Sequence, residues 1–305
     1  MPKKNDEMDF SIYHPIKDSL LKTIDKIEKC YNNDYKNPEH YVQTGIDGLV
    51  LPKGGLVVLA ARPCYGRIAC ALSLAKKLAV EDKKPVGIIA CGCNDSASVS
   101  AKLLAMESGI PLAKIRSGLL SVTDFEKLQT AAGRLYESPI FIDDSPNISF
   151  AEFEFAASLM VEEKKVEAIF VDSFEYLQEI VNATKDEREY VVSETPKEYK
   201  EAARGLNVPV IVLVELPASE DDNEPDLSDF KSNMSIPRTA DVVYLLHRQH
   251  AKDESETVNA SLFTAKNAYG SCASIPLNYA PATGSFKTVC YDADKVKNNN
   301  KGEQK

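Results

Sequence analysis

The sequence predicts an α/β protein: a mostly parallel, twisted sheet with helices on both faces and antiparallel strands at one edge. Three observations carry this. Apolar runs of strand length recur at residues 55–58, 85–90, 139–143, 168–172, 208–213 and 242–246, and the stretches between them have helical spacing. The first run enters a glycine-bearing loop and then an alanine-rich stretch at residues 70–79, the strand, loop and helix order of a phosphate-binding unit. Beyond Ser261 the runs shorten and alternate with turn residues such as Gly270 and Pro276, which fits antiparallel edge strands.

Taken in order, residues 1–14 are polar and are expected to be disordered. Residues 15–40 read as a helix and a connector. Pro15 suits a first helical turn, and Ile16, Leu20, Ile24, Ile27 and Tyr31 fall on one stripe. Such a stripe packs either on its own domain or on a partner, and the pattern alone leaves both open. Residues 41–291 then form one domain. Within it, helices are expected at residues 96–107 and 122–136, and Pro196 must either delay or kink a helix over residues 193–205. The tail, residues 292–305, is low in complexity and is expected to be disordered. No internal repeat is visible.

With 305 residues and 44% hydrophobic content, a sizeable core is expected. A net charge of -10, from 46 acidic against 36 basic residues, argues against broad electrostatic capture of a nucleic acid and leaves only local patches for it. The seven cysteines include no CxxC pair, which fits reduced thiols, most of them small core residues. Cys91-Gly92-Cys93 admits a metal or redox reading, opposed by the four histidines and the lack of a second cluster. The chain shows neither an apolar run of about 18 residues nor a signal core in MPKKNDEMDF, so a soluble cytoplasmic protein is expected, without membrane contact.

The candidate nucleotide-binding residues are Arg62, Pro63, Cys64, Tyr65, Gly66, Arg67 and Ile68. A standard phosphate loop ends in Gly-Lys-Ser/Thr, supplying one ammonium and one magnesium-binding hydroxyl. Here that end reads Gly66-Arg67-Ile68. The glycine persists, but the ammonium is replaced by a planar guanidinium and the hydroxyl by a branched hydrocarbon.

Several further stretches follow in order: Thr44-Gly45, Ala60-Ala61-Arg62-Pro63, Lys114-Ile115-Arg116-Ser117-Gly118, Ile142-Asp143-Asp144-Ser145-Pro146, Phe170-Val171-Asp172, Leu206-Asn207-Val208-Pro209-Val210, Leu227-Ser228-Asp229, Ala240-Asp241-Val242-Val243 and Ala265-Lys266. Together, over residues 16–290, the chain resembles the RecA-like C-terminal motor domain of the bacterial DnaB-type replicative helicases. The family's N-terminal primase-interacting domain has no counterpart here. The resemblance implies ATP and magnesium as cofactors, single-stranded DNA as a ligand, and a ring. In it, helix 16–31 acts as the linker helix that docks on a neighbour, whether a further copy or a replicative helicase.

Carried over residue by residue, the resemblance also implies losses. Asp172 matches the Walker B aspartate, a candidate magnesium holder, with turn capping as the other reading. Glu215 stands where the family has a phosphate-sensing glutamine. Lys266 is the remnant of a finger that acts on the neighbour's site, but Asn267-Ala268 follows it where glutamine and arginine belong. The catalytic glutamate is replaced by Gly92 or Cys93, with Asp95 nearby as a substitute base. Of the DNA-facing loops, residues 219–226 are acidic, while residues 182–190 keep Lys185 and Arg188. The expectation is therefore a DnaB-helicase-like replication protein with an impaired ATPase site, a non-catalytic binding or assembly paralogue. The alternatives are an active ATP-dependent 5'-3' DNA helicase whose Arg67 grips the phosphates, and a nucleotide switch without hydrolysis.

Overall fold

A computed structural model describes residues 15–32, 40–92, 94–219, 223–249 and 256–289. The expected disorder of residues 1–14 and 292–305 lies outside this range, as do most of the connector at 33–39 and Cys93. The chain opens with α1 (Ile16–Asn32) and continues with β1 (Leu56–Ala61), α2 (Arg67–Lys76), β2 (Val86–Ile89), α3 (Ser96–Ser108), α4 (Leu112–Ser117), α5 (Val122–Tyr136) and β3 (Ile140–Asp143). Next come α6 (Phe150–Lys164), β4 (Ala168–Val171), α7 (Gln178–Asn182), α8 (Lys185–Leu206), β5 (Val210–Glu215), α9 (Ser235–Thr239), β6 (Val242–Arg248), β7 (Val258–Asn267), β8 (Ser274–Ala280) and β9 (Ser285–Thr288). Every strand expected from the apolar runs is present.

The strands form one nine-stranded sheet in the order β3-β2-β4-β5-β1-β6-β7-β8-β9. All pairings from β3 to β6 are parallel, and those from β6 to β9 are antiparallel. This is the expected mostly parallel sheet with an antiparallel edge. Each central strand is apolar on both faces because each face meets helices. In β1, Val57, Leu59 and Ala61 join the core beneath α2 and α3, while Leu56, Val58 and Ala60 join the core beneath α6 and α8. Burying each of these valine and leucine side chains contributes roughly 1.5–3 kcal/mol.

Helix ends follow local chemistry. Ser121 and Ser149 form capping boxes at the starts of α5 and α6, and left-handed Gly109 and Gly118 end α3 and α4. α2 passes into a π-helical turn at Lys77–Glu81.

Several expectations need correction. α8 does not begin late: it starts at Lys185, behind the Thr184 and Glu187 capping box, and runs through Pro196. Proline removes the N–H that Val192 O would have accepted, and the Ser235 hydroxyl donates to that carbonyl instead at 3.3 Å. Residues 182–190 are thus the end of α7 and the first turns of α8 rather than a loop. Arg188 donates to Ile180 O at 3.1 Å, joining the two helices. Of the two readings left open for the stripe of α1, packing on the chain's own core is not found: Ile16, Leu20, Leu21, Ile24 and Ile27 are all exposed. Among the described residues, no helix is long and apolar enough to cross a membrane.

Candidate functional site

The C-terminal ends of the parallel strands β1, β4 and β5 converge on one crevice, the usual ligand position in an open α/β sheet. The loop after β1 forms its floor. Gly66 caps α2 in a left-handed conformation, φ 92°, and a Cβ there would sit 3.0 Å from the Phe286 ring. Both facts require glycine. Ile68 turns inward and packs against the core cluster. Tyr65 is buried, stacked on His247 with ring centroids 5.4 Å apart. Arg248 donates to Cys64 O at 2.7 Å and lies over the Tyr279 ring.

Arg62, next to Pro63, is buried and reaches across to a distant segment. Its guanidinium donates to Asn223 O at 2.6 Å and to Asp229 Oδ2 at 3.2 Å. It thereby ties the loop to the Leu227-Ser228-Asp229 stretch.

Arg67 is the first residue of α2, and its side chain is 11% exposed. Its Nη1 lies 3.7 Å from Glu175 Oε1, and its Nη2 lies 3.8 Å from Glu215 Oε2. These are ion pairs without a hydrogen bond, and Nη1 is buried with no hydrogen-bond partner. Glu175 is itself fixed, accepting from Glu215 N at 2.6 Å and from the Ser173 hydroxyl at 2.5 Å. Asp172 stands behind this group, buried, with Asn94 Nδ2 donating to Oδ2 at 2.8 Å. Burial pushes its carboxyl above the ordinary range, against the opposing pull of Arg67, the Asn94 bond and Lys102. Lys102 in turn donates to Asn94 Oδ1. The crevice therefore gathers Asp172, Glu175 and Glu215 around Arg67, with Lys102 behind.

The structure brings Arg67, Asp172 and Glu215 to one place beside the loop, and it puts Asp95 and Lys266 elsewhere. Asp172 does not cap a turn. Asp95 does: it accepts from Ser98 N at 2.8 Å at the start of α3, so a local structural role accounts for its carboxylate. Lys266 lies at the opposite end of the sheet, where β7 passes Val243, and donates to Pro237 O and Arg238 O at 3.0 and 2.7 Å. Cys91 is a core thiol, pushed up to about 12 mainly by burial. Among the described residues, no group of three His, Cys, Asp or Glu is placed to hold a metal. Sequence reasoning missed Glu175 and Lys102; the carboxylate three residues past Asp172 was the available signal for the first.

The DnaB-like helicase C terminal domain family matches residues 43–288. The chain belongs to this family. Replicative DNA helicase DnaC of Bacillus subtilis is 32% identical over 288 residues, covering 90% of this chain and 62% of the relative. Replicative DNA helicase DnaB of Treponema pallidum is 29% identical over 284 residues, covering 90% and 61%. This DnaB-like chain thus spans about three fifths of the length of those relatives. Among solved structures, an isolated ATPase domain superposes with a TM-score of 0.75 at 22% identity, covering 91% of this chain and all of that one. A DnaB-like replicative helicase, solved in a study of its interactions with primase, gives 0.73 at 22% identity, covering 90% and 67%. These superpositions match the RecA-like fold expected from the sequence.

Proposed function

We propose that this DnaB-like chain is a cytoplasmic, non-catalytic paralogue of the replicative helicase motor, an assembly or binding protein whose ATPase site is impaired. The observation that carries this reading is the pairing of Arg67 with Glu175 and Glu215. A triphosphate entering the crevice would have to displace two carboxylates from the Arg67 guanidinium, and it would then meet their negative charge at close range. Magnesium fares no better. Ile68 offers no hydroxyl, and its side chain is drawn into the core. The residues present do not fit a magnesium triphosphate.

In place of turnover, α1 supplies the working surface. Its apolar stripe is exposed, and so are Leu119, Val122 and Phe125 near the start of α5. Exposed apolar faces of this kind mark interaction sites. In our reading, α1 of one copy covers the α5 face of the next, in a homo-oligomer or on an active replicative helicase. The domain over residues 41–291 is then the body that α1 attaches. Single-stranded DNA is at most a weak ligand, since the basic residues left on the DNA side are few and Arg188 is engaged locally.

Calorimetric titration with ATP and magnesium, followed by phosphate-release assays with and without single-stranded DNA, tests this directly. No saturable heat and no turnover are expected. A second reading, the active helicase with a rearranged site, draws on the intact Gly66 turn and on Asp172 beside Arg67. DNA-stimulated ATP turnover that disappears in Asp172→Asn would establish that reading and end ours.

A further inference from the structure

Away from the crevice, a cavity of about 320 Å³ lies between the sheet and α2. Leu59, Tyr244, Leu262 and Leu277 line the sheet side, and Cys70 and Leu74 line the helix side. Interiors are close-packed, and voids larger than a water molecule are few. This one opens at its rim and has mostly apolar walls, and water is a poor occupant against such walls because it needs several polar partners. Three hydroxyls on the wall are engaged: Tyr244 with Val50 N and O at 2.6 and 3.1 Å, Ser73 with Ala69 O and Phe286 N at 2.8 and 2.9 Å, and Ser285 with Thr283 at 2.8 Å.

The rim differs from the wall. Lys76, Lys77, Glu81 and Lys287 stand there. Lys76 is held by Glu107 at 2.8 Å and Lys77 by Asp82 at 3.2 Å. Lys287, exposed on β9, makes no ion pair among the described residues. A site with dry apolar walls and one available ammonium at its mouth suits a particular ligand chemistry. We propose that this cavity binds an amphiphile of the medium-chain carboxylic acid class, its hydrocarbon body against Leu262 and Leu277 and its carboxylate at Lys287. The inference is independent of the nucleotide site, and an ATP titration of the same protein is read separately.

Decanoate is the probe, followed by calorimetry and thermal shift on the full chain, with 1-decanol as the uncharged counterpart. Decanoate should bind saturably and raise Tm. Lys287→Glu should weaken it about tenfold, and Leu277→Phe, which fills the cavity, should abolish binding. Should Leu277→Phe fail to fold, NMR cross-relaxation between decanoate and the Tyr244 ring reads the same placement in the parent protein. Absence of a saturable shift, unchanged affinity in Lys287→Glu, or decanol binding as tightly as decanoate would each overturn the assignment.

Discussion

At the scale of single residues, the site is governed by charge placement. Arg67 alone is not a conservative stand-in for lysine, because a planar fork presents its donors differently from a compact ammonium. What decides its state is the pair of carboxylates that face it. Relieving them is therefore as necessary as restoring the loop. Arg67→Lys with Ile68→Thr should recover little ATP binding, whereas adding Glu175→Gln and Glu215→Gln should yield saturable binding by calorimetry. Recovery by the loop pair alone would show that the carboxylates are irrelevant.

Asp172 gives a second test. Its folded carboxyl is raised above the ordinary aspartate value near 3.8, so the native state holds the proton more tightly than the unfolded chain. Stability from this group is lost as pH climbs from that value through the raised one, and the whole cost persists above it. Asp172→Asn should thus raise Tm at pH 7, by about 2–4 °C for each kcal/mol of burial cost removed. The gain should vanish below pH about 4. A Tm lowered at pH 7 would mean that the Arg67 attraction outweighs burial.

Among elements, the loop after β1 owes its position to a contact that spans the chain. Arg62 fastens it to the segment holding Asp229, and both partners are mostly shielded from solvent. Arg62→Ala leaves the partly exposed Asp229 carboxylate without its guanidinium partner and should cost about 2 kcal/mol in chemical denaturation at unchanged m. Arg62→Lys should recover only part of it, since one ammonium lacks the fork that serves Asn223 O and Asp229 together. A loss under about 0.5 kcal/mol for Arg62→Ala would mean that the loop is held by its neighbours instead. The helices show where pattern reading succeeds and where it slips. α5 was legible to its ends because Ser121 and Asp124 announce its start. The same signal, Thr184 with Glu187, marks the start of α8, although the resemblance implies a DNA-facing loop there and Pro196 points to a later start. The proline is tolerated because a hydroxyl from another element satisfies the stranded carbonyl, which no local reading of the sequence reveals.

For the molecule as a whole, the exposed stripe of α1 is the feature that asks for a partner. Leu20→Glu with Ile24→Glu places two charges on that face. In light scattering, the doubly substituted chain should lose the oligomer, or the complex with an active replicative helicase, while its melting temperature stays within about 2 °C of the parent, since these side chains bury nothing within the described body. A parent chain that is monomeric both alone and with the helicase would remove the proposed role.

By itself the sequence determined the α/β architecture, the strand order of appearance along the chain, the family, and the loss of the lysine and hydroxyl at residues 67 and 68. These follow from local periodicity and from residue identity at one loop. Tertiary structure decided what those losses amount to. Glu175 and Glu215 are far from Arg67 along the chain, and they reach it because β5 pairs with β1 and β4 lies one strand beyond, all ending on the same side of the sheet. Lys266, although in order along the chain, lies at the sheet's other end because β7 runs antiparallel. Charge acts through distance in space, and only the sheet's pairing order sets those distances.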